Sequence, residues 1–130
     1  MRGRFAAVRI LWIVLLLLVG GATVLVDEKP AYSCMMLAVE SEGKAIVTLE
    51  GLMKGEALGV VQKAFVEEDA MQCGYCTPGF MMTLHHLLEN NPDPTEEEIR
   101  EALGSNLCRC TGYVQMYQAI KDAIEAERKG

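Results

Sequence analysis

The sequence predicts an α+β chain of 130 residues, in which a short β-rich segment precedes four helices. Short β-prone runs and turn residues dominate between Thr23 and Gly51, whereas apolar residues recur at helical spacing from Gly55 onward. We therefore divide the chain into an apolar N-terminal segment (1–21), a partial sheet (22–54) and a four-helix domain (55–130).

The N-terminal segment contains "ILWIVLLLLV" at 10–19, between an arginine-bearing start and a run of small residues. This is the layout of a signal peptide. Extended to Val26, the apolar stretch reaches the lower length limit for a membrane span, so residues 5–26 could contact a membrane. The alternatives are a β-strand-rich start of a globular domain and a disrupted or frameshifted gene start. We expect a cytoplasmic protein, and the alternative is a membrane-anchored or periplasmic one.

The β-rich segment begins with "TVLVDEKPAYSC", in which two β-prone runs surround residues 27–30 and predict a hairpin. A further strand is expected in "AIVTLEG" at 45–51. These few strands predict a small sheet with an exposed edge.

The first two helices carry clear signals. Leu58, Val61 and Phe65 recur on one face of a helix expected to end near Ala70. Thr77 is placed to cap the second helix, with the proline at 78 in the first helical position, where its missing N–H costs nothing. This helix is expected to stop by residue 92.

The last two helices also have recognisable starts. Thr95 and Glu98 form a predicted capping box for a short helix closed by Gly104. The final helix is expected to begin near Gly112, and its apolar side is predicted to carry Val114, Tyr117, Ile120 and Ile124.

Four of the five cysteines lie in the loops between these helices. Cys73 and Cys76 separate the first helix from the second, and Cys108 and Cys110 separate the third from the fourth. In each loop a threonine, Thr77 or Thr111, follows the last cysteine as a predicted cap, and an aromatic residue, Phe80 or Tyr113, is expected to open the next helix. The two helix–loop–helix units therefore resemble each other. An approximate twofold between them would bring the four sulfurs to one place.

Three uses for four converging cysteines can be compared. Disulfides within the C-x-C and C-x-x-C pairs would be strained, although cross-pairing remains open in an exported chain. Zinc accepts four thiolates, and a [2Fe-2S] cluster also needs four. Helix N-termini pointing at the site would favour an anionic cluster, but spacing leaves zinc and iron nearly even. Residues 27–130 carry a net charge of −9, which argues against nucleic-acid binding.

The strings "QCGYCTPGF" at 72–80 and "NPDPTEEEIREALGSNLCRCTGY" at 91–113 closely resemble the small iron–sulfur subunit of the molybdenum hydroxylases. This family includes xanthine dehydrogenase, aldehyde oxidoreductase and the carbon monoxide dehydrogenase small subunit. The resemblance implies a four-helix domain whose [2Fe-2S] cluster is ligated by Cys73, Cys76, Cys108 and Cys110. It also implies that Gln72 and Cys110 approach the molybdopterin.

Further expectations follow from the same resemblance. The partners would be a large molybdopterin-binding subunit and an FAD-binding subunit, and those cofactors would lie on the partners. Substrate chemistry would occur on the molybdenum chain, with no catalytic residue here. This chain would relay electrons towards flavin as part of an oxidoreductase.

The N-terminal part departs from the family pattern. Family members hold a second [2Fe-2S] cluster in a preceding β-grasp ferredoxin-like domain. Here Cys34 matches one ligand, but Val19 and Ala22 stand where two other ligand cysteines are expected. We therefore predict one cluster and a partial β-grasp domain. The alternatives are a zinc-stabilised helical interaction module and a nonfunctional remnant of the subunit.

Overall fold

A small antiparallel sheet opens the described part of the chain, which comprises residues 23–53 and 57–129 of a computed structural model. Its strand order is β2-β1-β3, with β1 in the centre and buried along its whole length. β2 is mostly exposed. The strands are β1 (Thr23–Val26), β2 (Lys29–Tyr32) and β3 (Ile46–Val47).

The predicted hairpin is confirmed. Asp27 and Glu28 form its two-residue turn with φ angles of +48° and +67°, the positive values that a type I′ hairpin turn requires. The turn is also tied to the third strand, since the Asp27 amide donates to the Ala45 carbonyl at 2.9 Å and the Ala45 amide donates to Asp27 Oδ1 at 3.0 Å.

The strand predicted at 45–51 is shorter than expected. Within residues 45–51, only Ile46 and Val47 pair with β1, and they lie opposite Val26 and Leu25, respectively. The Gly51 amide then donates to the Thr48 carbonyl at 2.9 Å, and the chain turns into a short 3₁₀ helix. The local turn therefore ends the ladder. The 3₁₀ helices of this region are Ser33–Met35, Ala38–Ser41 and Leu49–Leu52.

Four α-helices follow the sheet within the described residues, as the sequence predicts. The first packs on the fourth and the second packs on the third, while the second also contacts β1 and β2. The helices are α1 (Val60–Glu67), α2 (Thr77–Asn90), α3 (Glu96–Gly104) and α4 (Val114–Lys129).

One apolar core lies between these helices. Its largest side chains are withdrawn completely from solvent and come from α1, α2 and α4; they include Phe65, Phe80, Leu84, Met116 and Ile120. The burial of these side chains is the main force that holds the two helix–loop–helix units together.

Three details of the helix predictions are wrong. α1 ends at Glu67 rather than near Ala70, because Asp69 adopts a left-handed conformation with φ +48° and the Ala70 amide reaches back to the Phe65 carbonyl. Leu58 precedes α1 and is exposed. Val114 begins α4 two residues later than expected and is 72% exposed.

The start of α3 agrees with its predicted capping box. The Glu98 amide donates to Thr95 Oγ1 at 3.3 Å, and the Thr95 amide donates to the Glu98 carboxylate at 2.7 Å. The helix ends at Gly104, as predicted.

None of the helices within residues 23–53 and 57–129 is both long enough and apolar enough to cross a membrane. Most of the segment expected to contact a membrane, residues 5–26, lies outside the described residues.

Candidate metal centre

The first cysteine loop joins α1 to α2. Gly74 has φ +78°, and its carbonyl accepts a hydrogen bond from the Thr77 amide at 3.3 Å, which closes a tight turn between the two cysteines. Cys73 is exposed, whereas Cys76 is half-buried and lies directly before the first residue of α2. The turn therefore places one thiol at the surface and the other against the core.

The second cysteine loop joins α3 to α4 and is stabilised by a hydrogen bond between two of its own residues. The Cys108 amide donates to Tyr113 Oη at 2.9 Å, and the Tyr113 ring meets Phe80 edge-on with centroids 5.9 Å apart. Gly112 and Tyr113 both have positive φ angles, +66° and +70°. The backbone reverses at these two residues, and this reversal carries the phenol back to the first cysteine of the loop.

The four thiols come together as two pairs, each with one member from either loop. Cys110 Sγ lies 3.6 Å from Cys73 Sγ at the surface, and Cys76 and Cys108 are close enough in the half-buried layer beneath for each thiol to change the pKa of the other. Two thiolates on one tetrahedral ion are about 3.8 Å apart, given metal–sulfur bonds near 2.3 Å. The surface pair is therefore spaced to share one metal ion.

The arrangement fits a two-iron cluster in its donor set, because such a cluster needs four thiolates, two for each iron. Within residues 23–53 and 57–129, no group of three or more His, Cys, Asp or Glu side chains is placed to hold a single metal ion. The thiols instead form a surface pair, Cys73 with Cys110, next to a half-buried pair, Cys76 with Cys108.

The half-buried pair is electrostatically asymmetric. Burial, followed by the neighbouring Cys108, raises the pKa of Cys76 to about 11. Burial also raises the pKa of Cys108, but hydrogen bonds from the Thr111 hydroxyl and from the Thr111 and Cys110 amides outweigh it and leave the pKa at about 7. Cys108 is thus the thiol of this pair that loses its proton more readily, and the thiolate is the metal-binding form.

The surface pair behaves differently. Cys110 donates a hydrogen bond to Cys73 Sγ, and this bond raises the pKa of Cys110. Two adjacent thiols resist losing both protons, since the second thiolate would face the first. A bound cation would relieve that repulsion.

The two threonines that follow the cysteines do not serve as the predicted caps. Thr77 is the first residue of α2 rather than its cap, and its buried hydroxyl has no hydrogen-bond partner among the described residues. Thr111 instead faces a sulfur, with Oγ1 3.1 Å and its amide nitrogen 3.4 Å from Cys108 Sγ. The Thr111 hydroxyl also accepts from the Tyr113 amide at 3.3 Å, so it organises the ligand loop.

The remaining predicted site residues are placed as follows. Gln72 is exposed beside Cys73, and Cys110 is exposed in the surface pair. Cys34 is exposed in the 3₁₀ helix that follows β2. Val19 and Ala22, on which the predicted loss of a second cluster depends, lie outside the described residues.

Two contributors to the site are missing from the sequence predictions. The Tyr113 phenol bonds the Cys108 amide, although Tyr113 is expected only to open a helix. Asn106 joins the second loop to α2 and β1. The glycine at 112 is a sequence signal for the backbone reversal that positions Tyr113. The role of Asn106 has no such signal, because its hydrogen-bond partners are distant along the chain.

Comparison with known proteins adds to this picture. The family described as the [2Fe-2S] binding domain matches residues 48–121. The nicotinate dehydrogenase small FeS subunit of Eubacterium barkeri is 45% identical over 106 residues, covering 82% of this chain and 68% of that subunit. The xanthine dehydrogenase iron-sulfur-binding subunit of Escherichia coli O157:H7 is 46% identical over 105 residues, covering 79% of this chain and 66% of that one.

A solved structure has a similar fold. Quinoline 2-oxidoreductase from Pseudomonas putida 86 superposes with a TM-score of 0.76 at 43% sequence identity, covering 86% of this chain and 72% of that one. The chain thus spans about two thirds of the length of the curated relatives described above.

Proposed function

Because the chain belongs to the family of small iron–sulfur subunits of the molybdenum hydroxylases, we propose that it is the electron-transfer subunit of such an oxidoreductase. It would hold one [2Fe-2S] cluster through Cys73, Cys76, Cys108 and Cys110. When bound, the cluster supplies a one-electron carrier between a molybdenum centre and flavin on partner subunits.

The observation that carries the proposal is the meeting of two cysteine loops as two thiol pairs. Cys73 with Cys110 and Cys76 with Cys108 each combine one ligand from either loop. This supports a cluster that ties α1–α2 to α3–α4, and it supports two irons with two thiolates each over a single zinc ion with four.

The residues around the half-buried pair suit an anionic group. Amide and hydroxyl donors from Thr111 point at Cys108 Sγ. Donors to sulfur stabilise the thiolate form and tune the electronics of a bound cluster. The chain's own contribution is therefore to hold the thiols in place and to supply these hydrogen bonds.

The exposed layer supports a role in contact with a partner. Gln72 and the Cys73–Cys110 pair are open at the surface, so we propose that this edge faces the molybdopterin of the large subunit. Electrons would leave towards an FAD-binding subunit. Since the family's second cluster would lack ligands here at Val19 and Ala22, electron transfer from the helical cluster to flavin would be interrupted or slowed.

We also propose that the chain acts where clusters are inserted, in the cytoplasm. Its N-terminal apolar segment would then be either an anchor or the product of a disrupted gene start. Immunodetection after cell fractionation tests this: recovery with the soluble cytoplasmic proteins is expected for a disrupted gene start and recovery in the membrane fraction for an anchor, whereas recovery in a periplasmic extract would contradict the proposal.

The cluster proposal is tested by spectroscopy on the full chain purified without oxygen. A red-brown protein that gives a one-electron EPR signal after dithionite reduction is expected. Cys108→Ser should abolish the signal, whereas Cys34→Ser, the matched change outside the thiol pairs, should keep it. A colourless wild-type chain that contains zinc would refute the proposal.

A further inference from the structure

Asn106 lies two residues before Cys108 and joins three parts of the fold. Its Oδ1 accepts a hydrogen bond from Thr23 Oγ1 in β1 at 2.9 Å, and its Nδ2 donates to Thr83 Oγ1 in α2 at 3.1 Å. Nδ2 also donates to Ser105 Oγ at 3.0 Å. We call these contacts of Asn106 with Thr23 and Thr83 the Asn106 bridge.

The hydrogen-bond roles within the bridge are fixed by its surroundings. The Thr83 hydroxyl donates its one hydrogen to the Gly79 carbonyl at 3.0 Å, so it can only accept from Asn106. The amide nitrogen of Asn106 must therefore face α2, and its oxygen must face β1. Thr23 and Thr83 are 3% and 9% exposed, and buried hydroxyls of this kind depend on such partners.

The Asn106 bridge also depends on the missing side chain of Gly79 in α2. A Cβ at Gly79 would lie 2.5 Å from Asn106 Oδ1 and 3.3 Å from Thr23 Oγ1. Any side chain at this position would push the carboxamide out, so the glycine gives the Asn106 bridge its room.

The bridge connects the two ligand-bearing loops. α2 begins directly after Cys76, and Gly79 and Thr83 lie in its first two turns. Asn106 precedes Cys108 by two residues. The Nδ2–Thr83 bond therefore links the segment that carries Cys76 to the segment that carries Cys108, while the Oδ1–Thr23 bond adds the sheet.

We infer that Asn106 is a positioning residue for the metal centre, which sets the separation of Cys76 and Cys108 through its bond to Thr83. This inference rests on the proposed function, because the thiols it positions are the proposed cluster ligands. Residues that orient ligands from outside the coordination shell typically change metal affinity by about 10–100-fold when they are removed.

The test measures iron release to a ferrous chelator and the EPR g-values of the reduced full chain. Asn106→Ala is expected to lose iron about 10-fold faster than wild type and to shift the g-values. Asn91→Ala is the matched control, since Asn91 is also half-buried and joins the end of α2 to α3 through Glu98. It should retain the wild-type rate and signal.

Two single-partner variants separate the branches of the bridge. Thr83→Val removes the branch to α2 and should reproduce the faster iron release and the shifted g-values. Thr23→Val removes the branch to β1 and should lower the stability of the chain while leaving both cluster readouts unchanged.

The outcomes are distinct. If Asn106→Ala matches Asn91→Ala, or if Thr23→Val disturbs the cluster as much as Thr83→Val, the inference is wrong and the bridge only stabilises the fold. If wild-type protein lacks iron and sulfide altogether, the proposed function fails, and the inference fails with it.

Discussion

The substitution Tyr113→Phe deletes one oxygen atom and with it the hydrogen bond between the Cys108 amide and the Tyr113 phenol. In Tyr113→Phe the ring keeps its edge-on contact with Phe80, at a centroid distance of 5.9 Å. The Cys108 amide loses the phenol oxygen that it now reaches at 2.9 Å. The substitution therefore isolates one bond at the entrance of the second cysteine loop.

The size of the effect follows from where the amide lies. A lost hydrogen bond costs about 1 kcal/mol, rising to about 3 kcal/mol when the donor stays buried without a partner. Cys108 is only half-buried, so water can replace part of the bond. We expect Tyr113→Phe to lower the free energy of unfolding by about 1–2 kcal/mol.

Urea denaturation of the full chain, with and without bound metal, measures this change. Tyr75→Phe is the matched control, because Tyr75 belongs to the other cysteine loop and is 78% exposed; it should unfold like wild type. Equal midpoints for Tyr113→Phe and wild type would refute the reasoning, since the phenol would then contribute nothing to the loop.

Three further predictions concern the rest of the chain. Phe65→Ala should lower the free energy of unfolding by about 3–5 kcal/mol in urea melts, because the ring is fully buried; a loss below about 1 kcal/mol would contradict the core described here. The Thr95 amide and hydroxyl lower the pKa of Glu98 from its usual 4.5, so this carboxylate stabilises the fold above pH 4.5 and loses that effect as the pH falls through its folded pKa. Melts of Glu98→Gln should therefore depend less on pH below 4.5, and identical pH profiles would be evidence against the capping box. Cys34→Ser should keep the iron content of wild type, and loss of half the iron would mean that Cys34 serves a second cluster.

Local signals in the sequence predict most of the helical fold. The Thr95 capping box, Gly104 and the apolar periodicity act within a few residues, so the sequence alone indicates where α3 begins and ends. The errors arise where tertiary geometry decides. Asp69 takes a left-handed conformation that ends α1 early, and Gly51 closes a turn that cuts β3 to two residues.

The site is predictable only in part. The spacing of the cysteines indicates that two loops converge, and the structure does bring the thiols of the two loops together. The spacing does not indicate which thiol of the first loop pairs with which thiol of the second loop, because that pairing depends on how α1–α2 packs against α3–α4. Thr111 illustrates the limit: a threonine before a helix predicts a cap, yet its hydroxyl faces Cys108 Sγ at 3.1 Å.

The most direct test of the central claim is the content of iron, acid-labile sulfide and zinc per chain, measured on full-length protein purified without oxygen. The account predicts about two irons and two sulfides, with negligible zinc. About four irons would contradict the single cluster. One zinc without sulfide would contradict the electron-transfer role itself and leave the thiol pairs as a structural zinc site.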